Sequence, residues 1–175
     1  MDAAERLEWF DSIIEDLDQL ALTHILLIEG KNDVLALHEL GVEADMFCVQ
    51  SGGGPVRASE YAWEKGRPAV ILTDWDRRGD SLADDLRRNL SSLCVKYDDS
   101  IRDRLARVCG PFCRDVESVH LIRRMLEREA ARLLPPRTDF GLNSAATTIY
   151  FLQIMSALIN PESVCPGILG WKSGT

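Results

Sequence analysis

The chain has 175 residues, of which 46% are apolar and 27% charged, with a formal net charge of -8; that is enough apolar content for one sizeable core. The acidic balance excludes a broad basic surface for coating nucleic acid, although a local basic patch stays open. Residues 1–6 lack the pattern of a secretory leader, the longest apolar stretch (149–159) is about half of a membrane span, and five cysteines without paired spacing suit a reducing, cytoplasmic location.

Asp2 and Glu5 make a capping-box pattern, and Leu7, Phe10, Ile13, Ile14, Leu17 and Leu20 recur at helical spacing, so residues 1–21 are expected as a helix lying on the domain. Residues 25–28 form a short apolar run closed by Glu29, the pattern of a buried parallel strand. Gly30, Lys31, Asn32 and Asp33 then turn the chain, with Asn32 or Asp33 able to cap a helix over 34–40 that stops at Gly41. A second short strand is expected over 46–49. Ser51, Gly52, Gly53, Gly54 and Pro55 open onto a helix over 56–65 ended by Gly66. Backbone N–H groups presented at such a helix start suit an anion, and a plain tight turn accounts for the glycines equally well. The loop lacks the Gly-Lys-Ser/Thr ending of a nucleoside-triphosphatase phosphate loop.

A second apolar run, 69–73, is followed by Asp74, Trp75, Asp76, Arg77, Arg78 and Gly79. Leu82, Leu86, Leu90 and Leu93 form the inward stripe of the next helix, with Asp84, Asp85, Arg87, Arg88 and Asn89 on its outer face. A fourth strand is expected around 106–109. Residues 115–134 read as a helix with Val119, Ile122, Met125, Leu126 and Leu133 inward, Arg123, Arg124, Arg128 and Arg132 outward, and Pro135-Pro136 as its stop. Cys109, Cys113 and His120 suggest zinc but lack the usual ligand spacing, which favours buried free thiols. From 141 to 175 only Glu162 and Lys172 are charged; the segment reads as an added helix, an oligomer contact or sequence foreign to the domain. The expected organisation is therefore an N-terminal helix (1–21), an α/β domain (22–134) and a C-terminal extension (135–175).

Glu29, Asp74 and Asp76 all fall at the edge of the sheet where its strands end, which is where open α/β sheets bind ligands. Two like charges about 4 Å apart repel by roughly 4 kcal/mol at an effective dielectric of about 20. Three such carboxylates are expected to share a hard cation, Mg²⁺ or Mn²⁺. All but four of the 20 basic residues are arginine, and several flank the acids. Because guanidinium groups match phosphate oxygens bidentately, the candidate phosphate-binding set is Lys31, Gly52, Gly53, Gly54, Arg57, Arg77 and Arg78. The structural alternatives are solvated helix faces for the arginines and helix capping for Asp74 and Asp76. Trp75 either stacks on a base or turns into the core.

The order of these residues, a strand closed by Glu29, then a glycine-rich loop, then a strand followed by Asp74-Trp75-Asp76 and Gly79, resembles the Toprim domain over residues 22–120. That domain is shared by topoisomerases, bacterial-type primases and several nucleases, and the length is most similar to its small stand-alone members. The resemblance implies a compact Rossmann-like parallel sheet of about four strands flanked by helices. It also implies Mg²⁺ held by Asp74 and Asp76, general acid/base work by Glu29, and close helix approach at Gly79. Asp33 matches a frequent acidic position in that domain, and Glu117 reads as an outer carboxylate or a helix cap. None of Tyr61, Tyr97 and Tyr150 comes with the extra domain of a topoisomerase nucleophile. The expectation is a metal-dependent nuclease or nucleotidyl-transfer domain acting on RNA or DNA, with no membrane partner. The alternative is a non-catalytic module that uses the metal to bind nucleic acid or a protein, and a phosphatase of small metabolites is a third reading. A homo-oligomer or protein contact is assigned to the C-terminal segment.

Overall fold

The computed structural model describes residues 1–133. They fall in the first of two units, 1–134 and 135–175, into which the chain divides. The expectations for Pro135-Pro136, for the side chain of Leu133 and for the C-terminal segment, its oligomer contact included, lie outside the described residues.

Among the described residues six helices and four strands follow in the order α1 (Ala3–Ala21), β1 (Ile25–Ile28), α2 (Lys31–Glu39), β2 (Asp45–Cys48), α3 (Gly54–Lys65), β3 (Ala69–Leu72), α4 (Arg77–Ser92), β4 (Tyr97–Asp98), α5 (Ser100–Cys109) and α6 (Val119–Leu133). The strands form one parallel sheet in the order β2-β1-β3-β4, so the expected α/β class is what the chain adopts. Helices cover both of its faces, which is why β1 and β3 are apolar at every position instead of alternating. Leu26, Ile28, Val70 and Leu72 pack into one core with Phe10, Ile13 and Leu17 of α1, Leu105 of α5 and Leu126 of α6. Ile25, Leu27, Ala69 and Ile71 pack into the other with Ala58 and Ala62 of α3 and Leu86 and Leu90 of α4.

Helix α1 starts on the expected capping box: Asp2 accepts from the Glu5 N–H at 2.9 Å, and Glu5 accepts from the Asp2 N–H at 3.1 Å. Helix α3 ends at Gly66 in the left-handed region that glycine tolerates. The fourth strand differs from its expected place. Residues 106–109 end α5, and the strand is the two-residue β4, too short and too polar to leave an apolar run. Ile101, Leu105, Val108 and Cys109 are all buried at helical spacing, so the charged residues between them mark turns of a helix, not breaks in a strand. Helix α6 begins at Val119, later than expected; Asp115 accepts from the Ser118 N–H at 2.9 Å just ahead of it.

The chain runs from β1 outward to β2 and then crosses back past β1 to β3. The winding reverses between β1 and β3, which opens a crevice beyond their carboxyl ends. Ile28 and Leu72 are register partners there, so Glu29 leaves the sheet opposite Thr73, one residue before Asp74.

Candidate functional site

Glu29 is 6% exposed and held from two sides. Its Oε2 accepts from Gln50 Nε2 at 2.8 Å and its Oε1 from the Asp74 backbone N–H at 3.2 Å. Gln50 is placed for this because the backbone pairing of β1 with β2 runs on past the strand ends, with the Gln50 N–H donating to the Glu29 carbonyl at 3.0 Å.

Asp74 follows Thr73 at the end of β3, and its Oδ1 accepts from the Val116 N–H at 2.8 Å. Burial, joined by the negative charges of Glu29, Asp33 and Asp115, pushes its carboxyl up to about 7, against the pull of the Val116 N–H. Asp33 is raised for the same leading reason, burial, with Glu29 and Glu117 adding to it. It sits in the first turn of α2 and accepts from the Gly30 N–H at 2.8 Å, so it reaches back to the turn instead of capping from outside the helix. Glu117 does not cap α6 as expected; its Oε2 accepts from Asn32 Nδ2 at 2.8 Å, tying the loop before α6 to the start of α2. Among the described residues none of Glu29, Asp33, Asp74, Asp76, Asp115 and Glu117 is in a salt bridge.

Asp76 is the N-cap of α4, its Oδ1 accepting from the Gly79 N–H at 2.7 Å. Asp76 is not among the main charges acting on Asp74. Among the described residues no three His, Cys, Asp or Glu side chains stand close enough to form a ready cation cage. The structure therefore brings Glu29 and Asp74 together, adds Asp33 and Asp115 to their field, and commits one Asp76 oxygen to the helix. Gly79 has no room for a side chain, since a Cβ there would lie 2.0 Å from the Asp74 carbonyl oxygen. The close approach of α4 to the Asp74 loop depends on that glycine.

The donor chemistry fits a hard divalent cation. Mg²⁺ takes one or two carboxylates and keeps several waters, so it does not require a three-acid cage. A carboxyl displaced to about 7 among uncompensated acids gains from a positive charge.

The candidate phosphate-binding residues divide. Lys31, Arg77 and Arg78 are exposed and, among the described residues, form no salt bridge. Arg78 lines a cleft of about 280 Å³ with Gln50, Gly54, Pro55, Ser81 and Leu82. Gly52, Gly53 and Gly54 form the loop into α3, with Gly53 and Gly54 at positive φ. Arg57 is occupied elsewhere, bound by Glu60 and Glu64 on the outer face of α3. Trp75 turns against the core, its indole donating to the Cys113 carbonyl at 2.8 Å. Cys109 and Cys113 are free thiols, the first buried.

Sequence reasoning missed Gln50, Asp115 and Arg102. Arg102 is 5% exposed. Its Nε donates to Thr73 O at 3.1 Å and Thr73 Oγ1 at 3.0 Å, and its Nη2 to Asp74 O and Asp80 Oδ1, both at 2.5 Å. Helical spacing with Leu105 and Cys109 was the signal that placed it inward.

No family model matches the chain. It is similar to a UPF0292 protein of Methanosarcina barkeri, 36% identical over 117 residues that cover 66% of this chain and 81% of the relative. A UPF0292 protein of Methanosarcina acetivorans is 31% identical with the same coverage, and one of Methanocaldococcus jannaschii is 28% identical over 65% of this chain and 91% of its own. A solved structure titled putative protein from Aquifex aeolicus shares the fold at a TM-score of 0.52 and 22% identity, covering 61% of this chain and 94% of that one. The resemblance to Toprim is corrected by these findings: no family model of that kind matches, and the relatives carry another family name. The chain belongs to the UPF0292 family.

Proposed function

We propose that the chain carries out Mg²⁺-dependent phosphodiester chemistry on RNA or DNA, with Mn²⁺ able to replace Mg²⁺, as a nuclease or nucleotidyl-transfer enzyme of the cytoplasm. The observation that carries this reading is the acid group at the switch point between β1 and β3, where buried Glu29 and Asp33 and half-buried Asp74 have no salt-bridge partner among the described residues and Asp74 is displaced to about 7. Asp74 would be the principal ligand of the ion, with the Oδ2 of Asp76 on the same loop as a further oxygen donor, and the chemistry supplied there would be charge neutralisation at a nonbridging phosphate oxygen. Lys31, Arg77 and Arg78, at the helix starts on the same edge, are free to hold the phosphate.

Glu29 handles the proton. Its carboxylate is held in one orientation by Gln50 and by the Asp74 N–H. In hydrolysis it takes a proton from the attacking water as the new P–O bond forms, and the old P–O bond breaks with a proton returned to the leaving oxygen.

Incubating the protein with single-stranded and structured RNA and DNA in Mg²⁺ or Mn²⁺, with and without nucleoside triphosphates as the nucleotide donor, tests the reading. Cleavage or extension by the wild type, lost in Asp74→Asn, is expected. Metal-dependent nucleic-acid binding with no turnover selects the non-catalytic module instead. Release of phosphate from monoesters alone overturns the nucleic-acid assignment.

A further inference from the structure

We infer that Arg102 is a positioning residue for Asp74, standing beside the end of β3 that no described strand flanks. Only three charged side chains are buried among the described residues, Glu29, Asp33 and Arg102, and all three surround Asp74. Burying a guanidinium costs several kcal/mol unless its donors are well placed. Here Nε and Nη2 make four hydrogen bonds, three of them to backbone and hydroxyl oxygens of Thr73 and Asp74.

The reason lies in the sheet edge. β4 pairs with β3 only through Ala69 with Tyr97 and Val70 with Asp98. Beyond Val70 no described strand flanks β3 on that side, so carbonyls at its carboxyl end have no ladder partner, and unpaired buried carbonyls are costly. Helix α5 follows β4 directly and lays Arg102 along this gap. Its planar fork spans the two carbonyls at once and reaches Asp80 in the first turn of α4, tying β3, the Asp74 loop and α4 into one unit. On the opposite side of the loop, Trp75 N–H donates to the Arg114 carbonyl and Val116 N–H to Asp74 Oδ1. Asp74 is thus clamped through its backbone by Arg102 and through its carboxylate by Val116. The assignment rests on the proposed metal role of Asp74 only for its consequence for cation affinity.

Arg102→Gln and Arg102→Lys, compared with wild type by amide exchange and by Mg²⁺ titration, test it. A positioning role predicts that the Val116 amide exchanges about tenfold faster in Arg102→Gln, as expected for a weakened bond to a charged acceptor, while amides of β1 keep their protection. Mg²⁺ affinity falls about 10- to 100-fold. Arg102→Lys retains the charge without the fork and recovers part of both effects. If Arg102→Gln does not fold, Arg102→Lys carries the test with the same signs. A folded variant with Val116 exchange and Mg²⁺ affinity at wild-type values overturns the inference, as does uniform loss of protection across the sheet. If the wild type binds no Mg²⁺, the metal reading of Asp74 falls, and Val116 exchange alone decides the role of Arg102.

Discussion

The helix surfaces and the carboxyl edge of the sheet treat acidic residues in opposite ways. On the surfaces, acids meet arginines: Asp84 and Asp99 bind Arg87, Asp85 binds Arg88, Glu60 and Glu64 bind Arg57, and Asp11 and Glu127 bind Arg123. At the edge, Glu29, Asp33 and Asp74 are partly or fully buried and, among the described residues, take only backbone N–H groups and the Gln50 amide. Among the described residues the arginine that reaches this edge, Arg102, binds the Thr73 and Asp74 carbonyls and Asp80, and pairs with none of these three carboxylates. Surface pairs contribute little, about 0–1 kcal/mol each, whereas buried like charges oppose folding. The edge therefore keeps an electrostatic cost, and offsetting it is the role given to the cation in the proposed function.

Substitutions break this contrast to different degrees. Glu29→Gln keeps the size of the side chain and removes its proton chemistry; turnover of a nucleic-acid substrate is expected to fall about 10²- to 10⁴-fold, read by single-turnover cleavage. Gly79→Ala adds a methyl group where the Asp74 carbonyl already sits. Alanine is the better helix former by about 1 kcal/mol, but forcing α4 off the loop costs about 3 kcal/mol, so denaturant unfolding should show a net loss.

In chelator, the pH dependence of stability carries the mark of Asp74. Its folded value of about 7 lies above the ordinary 3.8, so between these values the folded chain holds a proton that the unfolded chain has released. Stability from this group is full below about 3.8 and is lost as pH rises through about 7. Unfolding free energies for wild type and Asp74→Asn, measured across this range, should show the wild type falling more steeply. Asp33, also raised, acts in the same direction. The smallest effect is expected on the surface, where Arg88→Ala should change stability by no more than about 0.5 kcal/mol.

The chain's punctuation made half of the site legible. Glu29 and Asp74 each close an apolar run, and in a parallel sheet the ends of such runs share one edge. The close approach at Gly79 was expected only through the resemblance to Toprim, and the structure bears on it directly through the Asp74 carbonyl that a Cβ there would meet. Asp76 shows the limit of spacing alone, since an acid just before a helix serves equally well as a cap or a ligand. Gln50, Asp115 and Val116 were hidden, for their partners are 21 to 42 residues away in the chain and nothing local in their types marks them. Arg102 was hidden by the misplaced fourth strand. Once 100–109 is taken as a helix, its position beside Ile101 and in line with Leu105 turns it inward.

Calorimetric titration of the metal-free protein with Mg²⁺ and with Mn²⁺, for wild type and Asp74→Asn, tests the central claim most directly. The account predicts one saturable site in the wild type that Asp74→Asn weakens or abolishes. Equal binding by the two proteins, or no binding by either, would contradict it.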